Sequence, residues 1–185
     1  MDSEMPLGSV IQGSLSQGLE VRLHADVSVE DMRVGKFLVV QGVRSRFFCM
    51  LTDVSLGTAS QRILANPPQP TELFLQEVLA GGGTYGTIDL APMLMFTPEE
   101  SEDIGNGAVG NDVGLSQMQL LPVKTIPGHF SQAYDARERD FRSVFGWEDD
   151  PHRRNFAIGQ PIDMDVPICI DLNRFVERSN GIFGK

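Results

Sequence analysis

Long apolar runs are missing from this chain. No stretch approaches the ~18–20 consecutive apolar residues that a membrane-crossing helix needs. The opening MDSEMPLGS is acidic and has no apolar centre, so it does not read as a secretory leader. The expected compartment is the cytoplasm, with no membrane partner. Cysteine is scarce as well. Cys49 and Cys169 are the only two, far apart, each inside an apolar run. Buried free thiols are expected rather than a disulfide, which a reducing compartment would not sustain.

Positive charge is thin over the first two thirds. Residues 1–123 hold 6 Lys/Arg against 15 Asp/Glu, within a formal net charge of -10 for all 185 residues. Such a surface repels phosphate, which excludes this part as a direct grip on nucleic acid. Residues 124–185 hold 9 against 10, with seven arginines between Arg137 and Arg178. These could face DNA or a nucleotide. Their interleaved carboxylates fit a solvated mixed-charge surface better.

Catalytic constellations are missing too. No G-x-S-x-G or H-E-x-x-H occurs. His24, His129 and His152 form no i,i+4 pair, and His152 after Asp149-Asp150-Pro151 reads as a solvated loop before it reads as a metal site. Gly105-Asn106-Gly107-Ala108-Val109-Gly110 matches G-x-G-x-x-G. A dinucleotide site needs a strand before that motif and a helix after it, and an acidic run and further Gly/Asn/Asp stand there instead.

Short strands are abundant. Leu19-Glu20-Val21-Arg22-Leu23-His24-Ala25 alternates at every step, which places Leu19, Val21, Leu23 and Ala25 on one face and a solvated His24 on the other. Phe37 to Gln41 and Phe47 to Thr52 read as two strands joined by the hairpin loop Gly42-Val43-Arg44-Ser45-Arg46. Ser28 is placed to cap a helical turn ahead of them. Residues 71–80 predict a short helix, stopped by Gly81-Gly82-Gly83. Tyr85 to Phe96 predicts a strand bent near Pro92. Residues 97–116 are acidic, then rich in Gly and Asn, and predict a mobile exposed loop. Met118 to Ile126 resumes strand character. Tyr134, Phe141, Val144 and Phe145 share a helical face over 131–145, with Gly146 as the stop. Ile168 to Leu172 is a last alternating strand. The count predicts a mainly β chain, a small barrel or sandwich with one or two short helices.

The chain ends on Asn180-Gly181-Ile182-Phe183-Gly184-Lys185. Ile182-Phe183 has the look of a buried strand, and a short apolar strand followed by glycine is how a phosphate-binding loop begins. In G-x-x-x-x-G-K-[ST], Gly184 would be the first glycine and Lys185 a variable position, not the phosphate-binding lysine. An ordinary core strand with a frayed end explains the same residues.

The run Glu177-Arg178-Ser179-Asn180-Gly181-Ile182-Phe183-Gly184-Lys185 resembles the approach to the Walker A loop of HerA-type ATPases, which are similar to FtsK-like DNA translocases. Gly8-Ser9-Val10-Ile11-Gln12-Gly13-Ser14, Gly35-Lys36-Phe37-Leu38-Val39-Val40 and Phe48-Cys49-Met50-Leu51-Thr52-Asp53-Val54 follow the order of the HAS-barrel region that precedes the motor in that family. So do Pro122-Val123-Lys124-Thr125-Ile126-Pro127, Val144-Phe145-Gly146 and Ile158-Gly159-Gln160-Pro161. The resemblance implies a β-barrel domain over 1–126, a helical connector over 127–160 and the start of a RecA-like ATPase domain over 161–185. It implies a hexameric ring assembled through the barrel, a nuclease partner in some members, and ATP with Mg2+ bound by a motor beyond residue 185. DNA would be handled by that motor and not by the acidic barrel. No catalytic residue or metal ligand is expected within the chain itself. The alternative is a self-contained β-barrel binding or scaffold module, with Ile182-Phe183 as its closing strand.

Overall fold

Alternating apolar residues at period two build most of this molecule. The computed structural model describes residues 5–58, 84–98, 118–149, 154–161, 164–177, 179–181 and 183. These residues form two compact units, Met1–Asp135 and Ala136–Lys185.

The first unit holds β1 (Gly8–Ser14), β2 (Gly18–Leu23), β3 (Phe37–Gln41), β4 (Arg46–Thr58), β5 (Thr84–Pro98), β6 (Met118–Pro122) and β7 (Gln132–Asp135). Every pairing is antiparallel. In the order β2-β1-β7-β3-β4-β5 the strands return on themselves, because β5 also pairs with β2. Six strands thus close a barrel, and β6 extends β5 outside the ring. Closure leaves none of the six with a free edge, which removes the usual template for unwanted pairing.

The expected pattern of β2 holds: Leu19, Val21 and Leu23 are buried, and the strand ends before Ala25, which is exposed. They meet Leu38 and Val40 of β3, Phe47, Cys49 and Leu51 of β4, and Ile88 and Leu90 of β5 in one core. Burying each such side chain stabilises the fold by about 1.5–3 kcal/mol. The alternate residues of β3 and β4 are buried too, with Phe37 and Phe48 stacked 5.1 Å apart between ring centres. The wall here is apolar on both faces, so its sequence reads as a continuous run.

The hairpin between β3 and β4 forms as expected, with Gln41 opposite Arg46 and the Gly42 N–H donating to Ser45 O at 2.9 Å. Ser28 caps a 3-10 turn at Val29–Asp31, its hydroxyl accepting from the Glu30 N–H. The bend near Pro92 is a bulge: Phe48 pairs with Leu94 and Cys49 with Pro92, leaving Met93 over. Proline lacks the N–H that a regular ladder would use, so a bulge suits it. A second bulge leaves out Thr52, whose hydroxyl donates to Asp89 O at 3.0 Å.

The segment 131–145 is not one helix. Gln132–Asp135 forms β7 between β1 and β3, and only Glu138–Phe145 is helical, α1. The spacing of Tyr134 and Phe141 imitates a helix, but pairing on both sides of β7 outweighs local periodicity. Lys36 Nζ lies 2.6 Å from Asp135 at the end of this strand.

The second unit holds α1, β8 (Asn155–Gly159), β9 (Ile168–Asp171) and α2 (Leu172–Val176). Asp140, buried, accepts from the Arg137 N–H at 2.9 Å and so anchors the start of α1. Gly146 ends it at φ 74°, as the sequence predicts. β8 pairs with β9 alone. Asp171 caps α2 by accepting from the Asn173 N–H at 2.9 Å.

The chain terminus differs from expectation. Phe183 belongs to no strand and is 96% exposed. A strand needs a neighbour, and none of the described strands pairs with it. It therefore stands outside the two sheets that the described strands form. Ile182, Gly184 and Lys185 lie outside the described residues, as do the predicted helix at 71–80, most of the loop at 97–116 and the G-x-G-x-x-G run. No helix among the described residues is long and apolar enough to cross a membrane.

Candidate functional site

A groove of about 720 Å³ opens on the barrel where β1, β2, β4 and β5 meet the 3-10 turn and the loop before β7. Its apolar part includes Leu23, Val29 and Gly86. Gly86 makes room here: a Cβ at this position would stand 2.4 Å from Val29 Cγ2 and 3.1 Å from Leu23 Cδ1, so those side chains would have to shift. The groove also takes in Leu56 and Phe130, 82% and 74% exposed.

Phe130 is held in an unusual way. Its φ of 64° lies in the left-handed region, where a bulky side chain costs about 1–2 kcal/mol. Three hydrogen bonds hold the turn. The Phe130 N–H donates to Val10 O at 2.8 Å, and the Ser131 N–H to Gly128 O at 3.3 Å. The Gln132 side-chain amide donates to Phe130 O at 2.9 Å. The same Gln132 amide reaches Ser9 Oγ at 3.1 Å, and its Oε1 lies 3.3 Å from His24 Nε2. His24, expected to be simply solvated, is half-buried in this network.

The register aligns the groove's polar residues Ser9 and Arg22 with their neighbours in the sheet. Gln132, Ser9, Arg22, Thr87 and Ser55 stand side by side across β7, β1, β2, β5 and β4. Arg22 lies over the Tyr85 ring at 4.2 Å, a cation–π contact that fixes its guanidinium. Among the described residues it has no carboxylate partner, and no Asp or Glu lines the groove.

Two residues further along each strand the picture inverts. Glu20 of β2 faces Asp89 of β5, and Asp89 faces Asp53 of β4. Like charges directly opposite one another destabilise a sheet by up to about 1 kcal/mol a pair. Asp53 uses one oxygen on the Val54 N–H at 2.8 Å.

Residues that the sequence singles out fall elsewhere. Gly184 and Lys185, the expected phosphate-loop positions, lie outside the described residues. Of the seven arginines, Arg142 pairs with Asp149 at 2.5 Å and lies over Trp147, and Arg174 stands 3.9 Å from Asp171. Both cysteines are free and buried, as expected. Burial pushes the Cys49 thiol well above its ordinary range, partly offset by a hydrogen bond to the Val40 backbone. Burial, then the Glu148 carboxylate, pushes Cys169 up. Neither is a ready nucleophile. Among the described residues no group of His, Cys, Asp and Glu is placed to hold a metal ion.

Arg22, Tyr85 and Phe130 line this groove and Gln132 holds the Phe130 turn, and none of the four stands out in the linear chain. The one local signal is Gly128-His129-Phe130, a turn that exposes an aromatic side chain. Compared with known families, residues 7–114 match the model described as the HAS barrel domain, more than half of the chain. No curated protein matches it.

Proposed function

The chain belongs to the HAS barrel domain family, and from that premise we propose that it is the N-terminal assembly and docking domain of a HerA-type, ATP-driven DNA translocase. The family match over a closed barrel carries this reading. The barrel's acidic composition supports protein contacts over a grip on DNA, and its groove exposes the apolar side chains of Leu56 and Phe130, as a contact surface does.

In this reading the barrel joins neighbouring subunits in a hexameric ring. ATP and Mg2+ belong to a RecA-like motor that follows residue 185, with Gly184 and Lys185 at the start of its phosphate loop. A nuclease is the partner class that the ring would recruit.

The coding sequence and the protein it encodes test this directly. A reading frame that runs on through G-x-x-x-x-G-K-[ST], and a product that sediments as a hexamer and hydrolyses ATP in the presence of DNA, is expected. A frame that stops at codon 185, with a product that stays monomeric, overturns it.

A further inference from the structure

β8 has one strand neighbour, β9, so one edge of the ribbon meets no other strand among the described residues. The register says which groups stand on that edge. The Leu172 N–H donates to Arg154 O at 2.9 Å, and bonded and non-bonded pairs alternate along an antiparallel ladder. Phe156 therefore turns its N–H to Ile170, and Asn155 and Ala157 turn theirs outward. Over Asn155–Gly159 the strand carries no charge, and Phe156 and Ile158 are exposed. An uncharged apolar edge is a template on which another strand can add. Yet the outward Ala157 N–H is already taken: it donates to Glu148 Oε1 at 3.0 Å.

Glu148 reaches it from a strap that α1 holds in place. Arg142 of α1 pairs with Asp149 at 2.5 Å and lies over the Trp147 ring at 5.0 Å, so both neighbours of Glu148 are anchored. The Asn155 side-chain amide donates to Trp147 O at 3.0 Å, and the Glu148 backbone hydrogen-bonds the Cys169 sulfur. Gly146 lets the strap come this close, since a Cβ there would stand 2.3 Å from Asn155 Nδ2.

We propose that Glu148 is an edge lock: its carboxylate takes the place of the carbonyl that a third strand would offer to Ala157, and so keeps β8 from pairing with β8 of a second copy of the chain. A second copy is the occupant that fits, because the strand complements itself. Antiparallel β8–β8 pairing centred on Ala157 brings no like charges together and sets Phe156 of each copy beside Ile158 of the other. A carboxylate accepts roughly twice as strongly as a peptide carbonyl, so the lock holds against a passing strand. The device lies within the second unit and depends neither on the barrel's groove nor on the motor.

The test compares the full chain with Glu148→Ala and Glu148→Gln by amide hydrogen exchange and by sedimentation. In Glu148→Ala the Ala157 amide should exchange roughly tenfold faster, the loss of one charge-assisted hydrogen bond, with Phe156 unchanged. The same variant should associate beyond the wild-type state as its concentration rises. Glu148→Gln keeps an acceptor at the same reach and should restore most of both properties. Ala157→Pro removes the outward N–H without costing a ladder bond, so Glu148→Ala combined with Ala157→Pro should sediment like the wild type. Unchanged exchange at Ala157, unchanged sedimentation of Glu148→Ala, or association that persists in the double variant overturns the proposal. Equal acceleration at Phe156 and Ala157 overturns it too, because Glu148 would then staple the ribbon's fold instead of guarding its edge. Each readout is a change from the wild-type state, so the lock and the assembly reading fail separately.

Discussion

The two units solve the same problem with unequal means. In the barrel, each of six strands has two neighbours, and side chains from β2, β3, β4 and β5 fill one interior. In the second unit β8 and β9 have only each other. Of its described residues only Ala136, Asp140, Phe141 and Cys169 are buried, while Phe156, Ile158 and Val176 are exposed. Both regions are rich in apolar side chains. The difference is closure: a ring gives every inward residue a partner, whereas a lone two-stranded ribbon buries little of either face.

Four measurements would break or sharpen that contrast. Leu38→Ala should lower unfolding stability by about 2–5 kcal/mol, because it opens a cavity inside the ring. Phe156→Ala, on the exposed ribbon, should stay within about 0.5 kcal/mol in the same urea titration. Equal losses would mean that closure is not what separates the units.

Gly8→Ala comes next. A Cβ at Gly8 would stand 2.2 Å from the Arg22 carbonyl oxygen, so β1 and β2 would have to part where the ring closes. A cost of about 1–3 kcal/mol is expected. A neutral result would show that β1 has room to move.

The cysteines give a pH handle on both regions. A thiol raised by folding keeps its proton when the unfolded thiol, near 9.0, has lost it. Stability is therefore fully present below pH 9 and falls as pH rises, by about 1.4 kcal/mol per unit for each such group. Cys49→Val should remove one such slope from the alkaline limb of an unfolding profile. Thiol-reagent kinetics should find Cys169 first, since its unit has fewer buried contacts to break. Labelling of Cys49 first would reverse the ranking of the two units.

The smallest effect concerns Phe130→Gly. Relief of the left-handed strain should leave stability unchanged or raise it by up to about 1 kcal/mol in the same urea titration. A clear loss of stability would assign Phe130 to the barrel's own packing instead of to a ligand.

How much of this was legible in the chain follows from the range of the forces. The alternation of β2, the hairpin at Gly42, the Ser28 cap, the Gly146 stop and the bulge near Pro92 are local, and the sequence displays them. β7 was hidden, because Gln-Ala-Tyr-Asp has no alternation of its own and owes its form to β1 and β3. β8 and α2 were missed for a similar reason: short elements carry little periodic signal. The groove was illegible almost entirely. Arg22, Tyr85 and Gln132 are separated by dozens of residues, and only the register of the closed sheet brings them together. The terminal strand at Ile182-Phe183 looked apolar in the chain, yet Phe183 has found no sheet to join.

The place of β7 also sets a timetable for the ribosome. Its partners β1 and β3 are synthesised early, yet the strand that must slide between them emerges only when residues 132–135 have been made. Until then the nascent barrel is an open sheet with two sticky margins, and it can zip only at the last moment. A chain arrested just short of residue 132 should therefore be clipped by protease far more readily than one arrested a full exit tunnel later.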